Sequence, residues 1–394
     1  MTRTTLPRVV HVSADFPDPV AREKTPVIRS LLDLTADAFA HEVWSLNRRA
    51  PSLRDGLGGT PTAEPFAHGQ AITYRAPPLG ILHATMLDRL GDWLAERLQD
   101  SRPELLVGHK LTVEGLAVAR AARLLGVPYA LTLQGNTDLK ILCARPDLRP
   151  RLAKIFQAAS VVFAFAPWTL KAVERHLGAR GGPSCIAPCP TDLDSFIPPK
   201  AGGEGLATLF HLQHYRNKNL AGMVASHAVM PEDCAGQPLL VFGSGSAEDR
   251  GRCQRIMSRG KNVRFAAPVA RADLAASLGR ARGFVLPSLR ESFGLVHIEA
   301  LFAGLPIIYS SGRAVDGHFD GLPFAIGVDC RNRAQIAQAM TRLVRQEAQL
   351  KEALAVWQQS DHARSFTRPA IASRFAEGLR LGLAGAAVKG DEGE

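Results

Sequence analysis

Two glutamates eight positions apart, Glu291 and Glu299, bracket the stretch ESFGLVHIE. On one continuous helix that spacing is ~12 Å along the axis, with the side chains turned apart, so the two carboxylates cannot share one atom. They must meet different parts of an extended partner, or do unrelated work. Between them lie Ser292, Phe293, Gly294, Leu295 and Val296, which follow the apolar strand GFVLPS. Downstream, Gly304-Leu305-Pro306 is a helix stop, so the spacing predicts a helix opening at Gly294 and ending near Phe302. The free N–H groups and positive dipole end of its first turn attract an anion. A glycine there lets a phosphate approach the backbone closely. Carboxylates suit diols, because they accept hydrogen bonds and offer no competing donor. A nucleotide sugar has these parts in this order: sugar hydroxyls at Glu291, diphosphate on the helix start, ribose on Glu299. The competing reading makes both acids solvent-facing helix residues.

Other candidates are weaker by themselves. VFGSGS places Gly243 and Gly245 after a strand, where they either admit a nucleotide or simply make a tight strand-to-helix turn. TDLD, residues 191–194, has the D-x-D spacing of a metal site but sits beside Pro188 and Pro190 and reads as a turn. In TLQGNTD, Gln134 and Asp138 follow a buried strand and should face a cleft; Asp138 either orients a hydroxyl or caps a helix. His109 ends the strand LLVGH, at a site-like position that structural histidines also occupy. No Ser-His-Asp or Cys-His set and no metal-ligand cluster emerges, so no metal or cofactor is expected.

The elements needed to hold these residues are legible. RVVHVS, HEVWSLN, LLVGH, YALTLQG and SVVFAFA alternate with helical segments, among them Val27–Phe39 and the stretch GILHATMLDRLGDWLAERLQ. This rhythm implies a parallel sheet covered on both faces. Residues 50–69 are rich in Pro and Gly and read as loop. After the Pro- and Gly-rich IPPKAGGEG the pattern restarts with LATLFHL, PLLVFGSGS, NVRFAAP, GFVLPS and PIIYSS. With 394 residues, two α/β domains are expected, 1–198 and 199–365, the second binding the nucleotide sugar. An amphipathic helix over 366–385 and a flexible tail over 386–394 follow. Two doubly wound sheets facing each other would leave a cleft at the carboxyl ends of their strands.

Lys and Arg exceed Asp and Glu by 47 to 37, a net charge of +10 that favours anionic company. Nucleic acid is the weakest such partner, since no aromatic interleaving or reading motif accompanies the charge. The run LKILCARPDLRPRLAKIF puts Lys140, Arg145, Arg149, Arg151 and Lys154 among apolar residues, which suits an anionic membrane face or a solvated helix equally. No apolar window is long enough to span a bilayer, and no signal peptide is evident. The six cysteines show no framework spacing, as expected for reduced thiols in the cytoplasm, with peripheral contact at the inner membrane face as a further expectation.

Taken together, ESFGLVHIEALFAGLPII resembles the E-x7-E signature of the retaining glycosyltransferases of family 4, which have the two-domain GT-B fold. GVPYALTLQGNTD, APCPTDLDSF, LVFGSGS and YSSGRAVDGHFD resemble further segments of that family, the last a form found among bacterial surface-polysaccharide transferases. The resemblance implies that the first domain takes the acceptor, that the helix over 366–385 crosses back toward it, and that Glu291 contacts the donor sugar, Glu299 the ribose, and the backbone of Gly294–Val296 the phosphates. In HLQHYRNKNL, Lys218 falls where the family has the lysine of an Arg–Lys pair that neutralises the leaving diphosphate; the arginine position is Gln213, and Arg216 stands nearby as a substitute. Gln134 replaces a histidine common in the family, and Lys24 with Thr25 replaces glycines that approach the donor phosphates, work that Lys24 is expected to do by charge instead. A retaining transfer of this type needs no protein base, because a donor phosphate oxygen can take the acceptor's proton. The expected activity is metal-independent transfer of a sugar from a UDP- or GDP-sugar to a saccharide or lipid-linked acceptor in bacterial surface-glycan synthesis. The departures at Gln213 and Gln134 motivate an alternative: a weak or inactive nucleotide-sugar-binding partner of another transferase.

Overall fold

A computed structural model describes residues 6–51, 59–77 and 82–385. The tail expected over 386–394 and the start of the segment at Gly80 lie outside the described residues. The chain forms two compact units. The first holds the chain up to Phe165, Thr169–Pro190 and the chain from Ile371; the second holds Thr191–Ala370 with Ala166–Trp168.

The first unit is built on eight strands: β1 Arg8–Ser13, β2 Ala40–Arg49, β3 Thr62–Phe66, β4 Gly69–Arg75, β5 Leu105–Gly108, β6 Tyr129–Leu133, β7 Val161–Ala164 and β8 Ser184–Ile186. Their order is β3-β4-β2-β1-β5-β6-β7-β8. All neighbours are parallel except β3 and β4, which form an antiparallel hairpin. Strands such as VVHVS are apolar because helices cover both faces, and every residue of Val9–Ser13 is buried. β1 is central: Val9 pairs with His41 on one side and Leu105 on the other. The chain runs outward from it in both directions, so the topological switch point lies between β1 and β5. There the loops leaving the two strands diverge and leave a crevice.

The second unit repeats the plan with six parallel strands: β9 Leu206–Leu209, β10 Leu239–Phe242, β11 Val263–Phe265, β12 Gly283–Val285, β13 Ile307–Ser310 and β14 Ala325–Val328. Their order is β11-β10-β9-β12-β13-β14, with the switch point between β9 and β12. Gly243 and Gly245 follow β10 and are required by packing. A Cβ on Gly243, at φ 154°, would collide with the Phe210 carbonyl, and one on Gly245 would lie 2.8 Å from Leu212 Cβ.

Two local expectations are overturned. Residues 50–69 are not all loop, because β3 forms there: an exposed edge strand that keeps Pro65 where no ladder partner is needed. The helix from Val27 ends at Asp33 rather than Phe39. Just beyond it the Thr35 hydroxyl donates back to the Leu31 carbonyl at 2.9 Å, and the chain turns into β2.

The last helix, Arg368–Ala384, lies on the first sheet, with Phe375 against Phe163 at 5.0 Å between ring centroids. Gly378 makes that approach possible, since a Cβ there would overlap the Phe163 ring. Gly378→Ala is therefore expected to destabilise the first unit by ~1–3 kcal/mol despite alanine's better helix propensity. Chemical denaturation measures this, and a neutral or stabilising result would mean that the helix does not pack this way.

Candidate functional site

In the second unit the chemistry gathers at the switch point. The loop after β9 carries Lys218 and the loop after β12 carries Glu291. Lys218 Nζ and Glu291 Oε2 form an ion pair, with side chains only 19% and 14% exposed. Ser288 Oγ lies 3.5 Å from the same carboxylate oxygen. The two loops are tied by backbone as well: Leu289 N donates to the Asn217 carbonyl at 2.8 Å.

Asn219 completes this clasp. It adopts the left-handed conformation, φ 59°, which asparagine tolerates better than other side chains. Its buried amide donates to the Pro287 carbonyl at 3.1 Å and the Cys330 carbonyl at 2.8 Å. One residue next to Lys218 thus bridges the ends of β12 and β14.

Gly294 follows Glu291 in the left-handed region, φ 76°, and opens the helix Leu295–Phe302. A Cβ on Gly294 would stand 2.6 Å from His297 Nδ1 and 3.1 Å from Glu291 Cγ, so glycine is needed for the turn that presents the helix start. No side chain caps that start and no acidic residue lies in its first turn. Leu295 and Val296 there are partly exposed, whereas the Phe293 ring is buried edge-on against His318. Phe293 therefore offers a ligand its backbone and not its ring. The His297 ring is buried between two carbonyls, with Nδ1 3.0 Å from Gly294 O and Nε2 3.2 Å from Leu286 O. Burial holds its pKa below the ordinary value, against the pull of Glu291.

Glu299 lies within the helix. Burial raises its carboxyl pKa, Arg271 opposes the rise, and Asp192 adds to it. Arg271 is itself paired with Asp192. Asp194 accepts from Arg368 N at 2.8 Å and Nε at 2.6 Å, so both acids of TDLD are engaged in protein contacts. Among the described residues no three His, Cys, Asp or Glu side chains are arranged to hold a metal. Gln213 is exposed in a short 3-10 turn. Arg216 is turned onto its neighbour, with Nε 3.0 Å from the Tyr215 hydroxyl.

The first unit holds a different assembly. Lys24, expected to serve phosphates by charge, instead donates to Asp18 Oδ2 at 2.7 Å, Ser45 Oγ at 2.9 Å and the Leu46 carbonyl at 3.2 Å. All three ammonium donors are used on the sheet, which removes Lys24 from the candidates. Asp138 is buried in the first turn of the helix Asn136–Ala144. The residue at the cap position is Gly135, and Asp138 Oδ1 instead accepts from Thr112 N at 2.9 Å and Thr112 Oγ1 at 2.8 Å. Its Oδ2, Gln134 Nε2 and His109 Nδ1 are buried without a hydrogen-bond partner among the described residues.

His109 ends a chain of buried imidazoles that sequence reading missed. Its Nε2 is 3.0 Å from His11 Nδ1, His11 Nε2 is 2.9 Å from His41 Nδ1, and His41 Nε2 is 2.9 Å from Thr35 Oγ1. Because the Thr35 hydroxyl gives its proton to the Leu31 carbonyl, its oxygen accepts from His41. Each ring then donates toward Thr35, which leaves His109 Nδ1 a bare lone pair. Burial, then His41 and His109, holds His11 well below its ordinary pKa. Burial lowers His41 to about 4, and burial with Lys110 lowers His109 to about 3. Beside them Lys110 pairs with Asp15 at 2.5 Å and faces Glu114 at 3.8 Å. Burial pushes the Glu114 carboxyl up to about 7.

With this geometry in view, the chain can be compared with known proteins. Residues 211–346 match the family model described as "Glycosyl transferases group 1". Over 87 residues the chain is 40% identical to the D-inositol 3-phosphate glycosyltransferase of Streptomyces avermitilis, covering 21% of this chain and 17% of that one. Over 98 residues it is 33% identical to the O-antigen chain mannosyltransferase B of Escherichia coli, covering 24% and 26%. Each match thus spans a minor part of the relative's length. The solved sucrose-phosphate synthase of Thermosynechococcus elongatus superposes with a TM-score of 0.66 at 20% identity, covering 96% of this chain and 99% of that one. The class these likenesses define is the GT-B fold of two parallel-sheet α/β domains. Within it, residues 211–346, which carry Lys218, Glu291 and Glu299, are similar to the group 1 glycosyltransferases.

Two outcomes follow from these contacts. Asn219→Ala leaves two carbonyls without their donor and puts alanine in the left-handed region, so it is expected to cost ~2–4 kcal/mol in chemical denaturation. Asn219→Gly relieves the backbone and should recover ~1 kcal/mol of that loss; equal losses would remove the backbone part of the argument. The second concerns pH. Unfolded histidines take a proton near ~6.5, whereas folded His41 does so only at about 4. Its stabilising contribution is therefore full above pH ~6.5 and lost as pH falls toward 4. Glu114, with its raised pKa, works in the opposite sense. Unfolding free energy should fall less steeply over that range in His41→Asn than in the wild type; parallel slopes would show that the imidazole is not held neutral by burial.

Proposed function

We propose that the chain transfers a sugar, with retention, from a UDP- or GDP-sugar to a saccharide or lipid-linked saccharide of a bacterial surface glycan. The observation that carries this reading is the meeting of Lys218 and Glu291 at the second sheet's switch point, beside a helix start with no capping side chain. In it, the donor diphosphate takes Lys218 and the N–H groups of Gly294, Leu295 and Val296. Ser292 contributes from the same turn. Glu299 accepts from the ribose hydroxyls, and Glu291 from a hydroxyl of the sugar. Charge grows on the diphosphate as the glycosidic bond breaks, and a fixed cation with oriented N–H groups stabilises it without reorganisation. The acceptor attacks from the leaving group's face, and a phosphate oxygen removes its proton, so no protein base and no metal enter. Asp138, Gln134 and His109 are the acceptor-side residues, supported by their buried, unpartnered polar atoms at the carboxyl ends of β5 and β6.

The reading extends to place. The enzyme works in the cytoplasm, in peripheral contact with the anionic inner face of the membrane. No described helix is long and apolar enough to cross a membrane.

A second reading has an observation in its favour. Gln213 supplies no charge, and Arg216 is committed to Tyr215, so Lys218 stands without the expected arginine. A chain of this kind could bind a nucleotide sugar and turn it over weakly, as the partner of another transferase.

Glu299→Ala is expected to weaken nucleoside-diphosphate binding ~10–100-fold, the worth of a charge-assisted hydrogen bond. Glu291→Gln frees Lys218 from its ion pair, so UDP or GDP should bind at least as tightly while transfer falls tenfold or more. Calorimetry and radiolabelled donors with membrane-extract acceptors separate the readings. Binding without turnover by any donor favours the partner; wild-type behaviour in both variants removes the site assignment.

A further inference from the structure

The first unit has a second cavity, away from its switch-point crevice. It is a groove of about 1030 Å³ in the first unit, between the helices Glu114–Leu125 and Arg149–Ala158, and it reaches the chain just before β6, β7 and β8. It therefore sits at the amino ends of these strands, opposite the end where the unpartnered polar atoms gather. Ala119, Ala122, Val127 and Ile155 line its floor.

Four cations stand on its walls: Arg120, Arg123, Arg151 and Lys154. Two are neutralised. Arg120 Nε holds Asp92 at 2.6 Å, and Arg151 Nη1 holds Asp88 at 2.9 Å. Arg123 and Lys154 are exposed, and neither has a carboxylate partner among the described residues. Next to Arg123, Leu124 is 50% exposed.

This arrangement revises the membrane face expected from the run over 139–156. Leu142, Leu152 and Phe156 of that run are fully buried, so they cannot enter a bilayer. Arg149 donates to the Leu142 carbonyl at 2.8 Å, and Arg145 is paired with Asp147. A single amphipathic helix lying on lipid is not what folds. The apolar surface with uncompensated charge lies between two helices.

We propose that this groove binds an anionic membrane phospholipid, its acyl chain on the alanine-lined floor and its phosphate between Arg123 and Lys154. Charge complementarity selects this occupant. A free phosphate would leave the apolar floor uncovered, and an uncharged apolar segment would leave the two cations unanswered. The proposal rests on the membrane contact proposed above and supplies its location. Because the groove opens at the far end of the strands, lipid and substrates would bind without competing.

The test is co-sedimentation of the whole chain with phosphatidylcholine vesicles, with and without phosphatidylglycerol, for the wild type, Arg123→Glu/Lys154→Glu and Ala158→Trp. The tryptophan fills the groove and leaves its charge intact, and thermal melting checks that each variant folds. Expected are binding that requires phosphatidylglycerol, loss of at least tenfold in the double variant, and a comparable loss in Ala158→Trp. If no variant and no wild type binds, membrane contact itself fails. If the wild type binds and Ala158→Trp binds equally, contact is made by surface charge alone and the groove is overturned. A dimer that Ala158→Trp abolishes, without vesicle binding, would reassign the groove to a second copy of the chain.

Discussion

One partly buried ion pair organises the second unit's site. Lys218 and Glu291 come from loops leaving the two central strands, and neither carboxylate nor ammonium could stay in so sheltered a place alone. Their closeness depends on neutral groups: the Asn217 carbonyl, which receives the Leu289 N–H, and the Asn219 amide, which spans two strand ends. Gly294 then turns the chain so that the helix start stands beside the pair. In the proposed function, a diphosphate entering here would compete with Glu291 for one cation. That competition would give the pair a role beyond stability, since a donor would exchange one anion for another while freeing Glu291 for a sugar hydroxyl.

The first unit uses the same topology for different chemistry. Its switch point is lined by neutral imidazoles in series and by Lys110 set among Asp15 and Glu114. With pKa values of about 4 and about 3, His41 and His109 are neutral and only weakly basic near neutrality. What the chain of rings does is fix a tautomer, so that His109 presents an acceptor and not a donor. Such a group suits the holding of a hydroxyl. A retaining reaction in which the donor's phosphate takes the proton asks for that kind of help and for no stronger base.

Much of this was legible in the sequence, for identifiable reasons. Arg8–Ser13 and Leu295–Phe302 follow from uninterrupted apolar or glycine-bounded runs, whose signals are local. β3, β8 and β14 escaped because short strands at sheet edges carry little alternation to read, and β4 was missed beside them. The imidazole chain escaped because His11 and His109 are 98 residues apart and meet only through strand register. Lys24 misled because its type suggests a phosphate while its fold position, beneath Ser45 and Asp18, uses every donor. Asn219 was visible only as part of RNKN; a left-handed asparagine beside a candidate site lysine is a signal worth weighing in related chains.

Everything said of the second unit turns on where a nucleotide's two phosphates come to rest. A crystal structure of the chain with UDP or GDP measures that directly. The account predicts the diphosphate against the N–H groups of Leu295 and Val296, the ribose on Glu299, and Lys218 drawn from Glu291 onto phosphate oxygen. A nucleotide seated elsewhere, with the Lys218–Glu291 pair intact and Glu299 untouched, would contradict it.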